Sequence, residues 1–146
     1  LQSVTKAEPR TLYVSRYVKN ADAIIKWAKD QGFKTTLKAD DMHVTVAYSK
    51  TAVDWDAMGD HFDTISVPSV TKNKAARKVA PLGNDGAVVL HFSSTELEKR
   101  WKDLCEKGCS WDHKGYQPHI TLSYQADDVD LEKVEAYDGD IVLGPE

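Results

Sequence analysis

Two tetrapeptides set the chemistry open to this chain: His43-Val44-Thr45-Val46 and, 76 positions later, His119-Ile120-Thr121-Leu122. Both read His-apolar-Thr-apolar inside β-prone runs. Side chains alternate between the faces of a strand, so His43 and Thr45 point one way while Val44 and Val46 point the other, and the second copy does the same. Each strand then offers an imidazole and a hydroxyl on one face and buries aliphatics on the other. An unperturbed imidazole titrates near pH ~6.5, so around neutrality one ring can act as a base while its partner is an acid. The two hydroxyls can hold the non-bridging oxygens of a phosphate, more tightly as charge builds on them. That set of groups points to phosphodiester cleavage. The neutral imidazole takes the proton of a ribose 2′-hydroxyl, which attacks the adjacent phosphorus, and the protonated one donates to the departing 5′-oxygen. The first product carries a 2′,3′-cyclic phosphate, which water opens in a second round. This chemistry requires no metal and no cofactor. The likeness of the two copies leaves open which histidine is the base.

The elements that must position these residues recur with the motif. Leu12-Tyr13-Val14 is a strand-like run, followed by Asn20 as a helix N-cap, an amphipathic stretch with Ile24, Ile25, Trp27 and Ala28, and Gly32 at C′. In the second half, Ala87 to Phe92 reads as a strand. Ser93-Ser94-Thr95-Glu96 offers a Ser-x-x-Glu capping box, and Leu97, Trp101, Leu104 and Cys105 form an apolar stripe before Gly108. Strand starts, counted from Thr11 and Ala87, and histidines repeat at an offset of 76 and helix caps at 74. With only two copies, the pattern is a duplicated β-α-β lobe rather than a solenoid. Between the lobes, Trp55 to Phe62 reads as a short helix with Met58 and Phe62 turned inward, and Asp63 to Val70, carrying Pro68, as an edge strand. Gly83-Asn84-Asp85-Gly86 is a hairpin turn leading into the Ala87 strand. Asp130 to Val134 can form a short helix, and Ile141-Val142-Leu143 a last strand. The expected fold is a single α+β domain over residues 1–146, with antiparallel strands curved around a groove and helices outside. Leu1 to Arg10 is polar and patternless, as in a loose leader.

Charge narrows the partners. A net charge of −4 argues against a general DNA or RNA binder, which needs a basic surface to release counterions. Lys72, Lys74, Arg77 and Lys78 form the densest basic patch, either a solvated edge or a clamp for a small anion, with Lys72 and Lys74 as candidate substrate contacts. Arg16 and Lys19 are weaker candidates of the same kind. No apolar run approaches a membrane span and no signal-peptide pattern opens the chain, so a cytoplasmic location is expected. Cys105 and Cys109, with His113 nearby, lack a fourth ligand for structural zinc, so free thiols are the expectation. His61, His91 and His113 read as structural or surface residues, with His91 a satisfied core histidine on its strand. Trp111 and Tyr116, in the loop before the second motif, could stack on bases.

The doubled His-x-Thr resembles the two-histidine phosphoesterase superfamily, whose signature is His-x-Thr or His-x-Ser plus a hydrophobic residue in each of two pseudo-symmetric lobes. Within it, Leu12-Tyr13-Val14, the Ile24-Ile25-Lys26-Trp27-Ala28 helix, Leu37 to Tyr48 and the ending Ile141-Val142-Leu143-Gly144-Pro145-Glu146 look like the phage anti-CBASS cyclic-nucleotide phosphodiesterases. The resemblance implies a bilobal pseudo-two-fold fold, and cleavage of the 3′–5′ bonds of cyclic di- or trinucleotides such as cGAMP. These are the signals of a bacterial antiviral pathway, and the setting is a host-cell cytoplasm. It implies that Tyr13 faces the ligand, against a competing core position, and that Glu146 contacts the nucleotide. It also implies an inter-lobe aromatic over a base, which Val70 to Leu82 lacks, so base preference stays open. Two other functions stay open as well: an RNA-processing enzyme acting on 2′,3′-cyclic phosphate ends or 2′–5′ linkages, and a non-catalytic sponge for cyclic nucleotides.

Overall fold

The computed structural model describes residues 10–59, 61–70, 77–83, 86–126 and 129–146. In chain order the elements are β1 (Arg10–Tyr17), α1 (Ala21–Asp30), β2 (His43–Val53), β3 (Ile65–Val67), β4 (Lys78–Leu82), β5 (Ala87–His91), α2 (Thr95–Glu106), β6 (His119–Ser123) and β7 (Ile141–Leu143). The two β-α-β units, β1-α1-β2 and β5-α2-β6, stand where the repeat places them, and every strand pairing is antiparallel. In the second lobe β5 lies between β4 and β6. In the first, β1 pairs with β2, and β7 pairs with β3. A Val18–Leu143 bridge and a Gly144 N–H to Tyr17 carbonyl bond (2.9 Å) join β7 to the end of β1. No described helix is long and apolar enough to cross a membrane.

One apolar cluster runs through both lobes and takes in Ile24 and Ala28 of α1, Leu97 and Leu104 of α2, and the inward residues of β2, β5, β6 and β7. Burying each large aliphatic contributes about 1.5–3 kcal/mol. The helices end as their sequences require, with Gly32 at φ +103° and Gly108 at φ +109°, a backbone region costly for other residues. Their starts differ from expectation. Asn20 does occupy the N-cap of α1 but makes no cap bond. Its amide instead spans β7, donating to the Asp140 carbonyl (2.7 Å) and accepting from Val142 N–H (3.0 Å). In α2 the cap is Ser94, whose Oγ accepts from Leu97 N–H, so Glu96 falls one position short of closing a capping box.

Further expectations are corrected. Arg10 is not leader but the first residue of β1, paired with Val53 and lying 3.9 Å over the Trp55 ring. Trp55–Ala57 is a single 3-10 turn rather than a longer helix, and while Met58 is buried, Phe62 is 64% exposed. The short helix expected around Asp130 to Val134 is present as a 3-10 turn, Leu131–Lys133. Lys72 and Lys74 lie outside the described residues. Arg77 belongs to no solvated patch: it is buried and donates to the carbonyls of Pro68, Tyr137 and Gly139.

Two other arginines lie at the heart of the fold. Arg16, 1% exposed, donates to the carbonyls of Asp63 (2.6 Å) and Gly144 (2.8 Å), so it stitches β1 to the segments around β3 and β7 instead of facing a ligand. Lys19 reaches Thr64. Arg100 of α2 uses its full set of donors. Nε and Nη2 grip the Glu146 carboxylate (2.9 and 3.0 Å), Nη1 reaches Met58 O and Asp103, and Nη2 reaches Gly59 O. Removing one partner of such a buried pair leaves the other charge uncompensated. Arg100→Met is therefore expected to cost about 3–5 kcal/mol in urea unfolding. Arg100→Met with Glu146→Leu should recover part of that loss. Equal stability of wild type and single variant would contradict this account.

Candidate active site

Each motif histidine opens its strand and is held by the same bond. His43 Nδ1 lies 2.9 Å from the carbonyl of Asp41, and His119 Nδ1 lies 3.0 Å from the carbonyl of Gln117. A carbonyl can only accept, so Nδ1 carries the hydrogen in both rings and Nε2 is the nitrogen left to exchange a proton. A 3-10 turn at Ala39–Asp41 sets the first acceptor, with buried Met42 anchoring the chain behind it. Along both strands the alternation runs as the pattern predicts: Val44, Val46, Ile120 and Leu122 have no exposed surface, while His43, Thr45, His119 and Thr121 face outward.

The two motifs are tied to each other across the lobes. β2 and β6 are in contact. The Tyr116 hydroxyl, three residues before His119, donates to the Thr45 carbonyl (2.7 Å). On the other side Leu37 N–H donates to the Leu122 carbonyl (2.8 Å). Burial pushes the Tyr116 phenol well above its usual pKa, so it remains a donor. That bond also changes the part open to Tyr116. Its ring stacks on Trp101 (5.5 Å, 16°), and Trp111 packs against both, with its indole N–H bonded to Gly115 O. These aromatics brace the loop that carries His119.

Tyr13 lies beside Thr45 and His43. It is 47% exposed, and its hydroxyl shares a 2.8 Å hydrogen bond with Thr45 Oγ1. Its ring meets His43 edge-on. A cleft of about 800 Å³, within the usual range of small-molecule sites, is lined by Tyr13, Ser15, Tyr17, Leu37, Asp40, Asp41, His43, Tyr124, Pro145 and Glu146. Gly144 is required at its rim because a Cβ there would overlap the Tyr17 ring. Glu146 reaches the cleft with its side chain only 9% exposed and its carboxylate already gripped by Arg100. Among the described residues, the lining holds three carboxylates and no Lys or Arg. His119 and Thr121 are not part of it. Sequence reasoning missed Arg100, Ser15, Tyr17 and the acid pair Asp40 and Asp41. It also missed that the 76-residue offset continues to Tyr48 and Tyr124.

Outside the cleft lie the two cysteines and the other histidines of the second lobe. Cys105 and Cys109 are free, Cys109 lies against the Met58 sulfur, and His113 packs on Trp111; no cluster able to hold a metal occurs among the described residues. His91 is not a satisfied core histidine, because its Nδ1 is buried without a partner. It sits directly across from His119, ring centroids 5.8 Å apart, where the first lobe places Tyr17 across from His43.

The model of the anti-CBASS protein Acb1 family matches residues 10–146. Two curated proteins described as anti-CBASS protein Acb1 are similar over nearly all of this chain. One, from Caulobacter sp. (strain RHG1), is 51% identical over 145 residues, which is 99% of this chain and 23% of that protein. The other, from Sphingomonas paeninsulae, is 50% identical over 148 residues, covering 100% and 24%. The chain thus spans about a quarter of these relatives. A shorter one of the same description, from Vibrio phage KVP40, is 34% identical over 108 residues, covering 73% of this chain and 64% of the phage protein. Among solved structures, a crystal structure of a phosphoesterase superposes with a TM-score of 0.60 at 15% identity, covering 94% of this chain and 84% of that one.

His91 yields a pH test. Burial, then His119 and Lys78, lower its pKa, so the unfolded chain takes up this proton more readily than the folded one. Stability contributed by the neutral ring is complete above the unfolded value of ~6.5 and is lost as pH falls through the folded value. The urea midpoint should therefore drop from pH 7.5 to 5.5, and His91→Gln should flatten that drop. An unchanged slope in the variant would rule His91 out as its source.

Proposed function

The chain belongs to the anti-CBASS protein Acb1 family, and on that premise we propose that it is a metal-independent phosphodiesterase cleaving the 3′–5′ bonds of cyclic di- or trinucleotides. The observation that carries this reading is the matched pair of Nδ1–carbonyl bonds. Acid–base catalysis needs each imidazole fixed in one tautomer with the other nitrogen free, and both motifs meet that need in the same way. Residues 10–146, the span matched by the family, are taken as one catalytic domain.

In the proposed mechanism, one Nε2 accepts the proton of the ribose 2′-hydroxyl as its oxygen attacks phosphorus. The other imidazolium gives its proton to the 5′-oxygen as the phosphorus–oxygen bond breaks. The ring opens to a linear product with a 2′,3′-cyclic phosphate, and the two histidines have exchanged protonation states. Water then attacks the cyclic phosphate with the roles reversed, leaving a terminal phosphate and the starting enzyme. Thr45, oriented by Tyr13, and Thr121 hydrogen-bond the phosphate oxygens as charge accumulates. Loss of intact cyclic signal would blunt an antiviral response that depends on it.

The test is turnover of cyclic dinucleotides in EDTA, with products resolved by chromatography. Ribose substrates should be cleaved and 2′-deoxy analogues should not. The rate–pH profile should be bell-shaped, and His43→Ala or His119→Ala should lower kcat about 10²–10⁴-fold with the fold intact by circular dichroism. Turnover only with added metal would overturn the mechanism. Depletion of free signal by both alanine variants at the wild-type rate would identify a sponge.

A further inference from the structure

The duplication extends past the threonines into a feature that the mechanism leaves unused. Pairing of β1 with β2 runs Ser15–Thr45 and then Val14–Ala47, which leaves Val46 without a partner. Pairing of β5 with β6 runs Val89–Thr121 and then Val88–Ser123, which skips Leu122. Each motif strand thus carries a β-bulge at the same place. In both, the two residues at the bulge are buried, Val46 with Ala47 and Leu122 with Ser123. The following residue therefore returns to the open face, re-aimed as bulges do. In both lobes that residue is a tyrosine: Tyr48, 51% exposed, and Tyr124, 59% exposed.

Both rings stand beside the candidate site. Tyr124 lines the cleft that holds His43. Tyr48 packs edge-on against Tyr13 (5.6 Å, 74°), whose hydroxyl bonds Thr45. Each tyrosine follows its threonine by three positions of extended chain, on the order of 10 Å, one nucleoside's reach from a phosphate held at the hydroxyl. The described lining offers carboxylates and no Lys or Arg, so these residues supply no ion pair to a phosphate. An aromatic face binds any base without needing charge.

We propose that Tyr48 and Tyr124 are paired stacking platforms, one for each of the two nucleobases flanking the phosphate held between the lobes. The ligand class is a nucleotide with two bases. The phosphodiesterase reading above supplies the phosphate position on which this rests. The platforms act on binding rather than on the proton transfers, and they tolerate either purine or pyrimidine.

Binding of a non-cleavable 2′-deoxy cyclic dinucleotide, followed by calorimetry, tests this. Tyr48→Ala and Tyr124→Ala should each weaken Kd about tenfold, and the double variant by roughly the product, while Tyr→Phe at either position should bind as wild type. With ribose substrate the alanine variants should raise KM far more than they lower kcat, and affinity should change little with salt. Alanine variants that bind as wild type, or phenylalanine variants as weak as alanine, would overturn the platforms. A parallel arm compares adenosine 2′,3′-cyclic phosphate with the methyl riboside 2′,3′-cyclic phosphate, which lacks a base. If the wild type ignores cyclic dinucleotides, the substrate reading fails. The platforms then stand only if the base still adds affinity that Tyr48→Ala or Tyr124→Ala removes, and no such base contribution refutes them.

Discussion

The guanidinium of Arg100 is the constraint around which the two lobes are arranged. It projects from α2 in the second lobe into a place where water cannot follow, and every N–H it owns must find an acceptor there. The acceptors are assembled from distant parts of the chain: the turn at Met58 and Gly59, Asp103 one helical turn on, and Glu146 beyond β7. Only one relative position of α2, the turn and the β7 extension satisfies all of them. A buried ion pair of this kind adds little net stability compared with apolar packing, yet it is selective among arrangements. That selectivity fixes where Pro145 and Glu146 meet the cleft.

The site itself follows from the geometry of a strand. Alternation gives each motif an open face with an imidazole and a hydroxyl, and the carbonyl two residues back fixes the ring. The tie from Tyr116 to the Thr45 backbone makes the two faces parts of one structure. The pseudo-symmetry is incomplete in chemically useful ways. His43 has a tyrosine across from it, and His119 has a second histidine whose pKa burial lowers.

Periodicity made much of this legible. The order strand, helix, motif strand is visible twice because period-2 and period-3.6 runs alternate, and a repeat offset needs no structural knowledge to measure. The residues that misled are those whose role is set by distant backbone. Arg77 looks like part of a basic surface until three carbonyls converge on it. Arg100 sits three residues after Leu97 and four before Leu104, which marks the buried face of α2, and that spacing was the available signal. Asn20 is at its helix start, but β7 takes its amide, something no local window contains. Trp111 and Tyr116 are aromatic and loop-borne, yet Trp101 of α2 packs on both rings and draws them into a cluster.

The buried arginines also bear on how this fold can drift. Arg16, Arg77 and Arg100 fasten distant segments largely through main-chain oxygens, at Asp63, Gly144, Pro68, Tyr137, Gly139, Met58 and Gly59. Any amino acid supplies a carbonyl, so as far as these bonds are concerned the acceptor positions are free to change, with Gly144 kept instead by its closeness to the Tyr17 ring. A lysine presents a compact ammonium on a flexible stem instead of a planar fork, and cannot reproduce a donor set spread over three nitrogens. The heritable requirement is therefore lopsided: three side chains carry it, and the segments they hold can diverge in sequence while keeping their places.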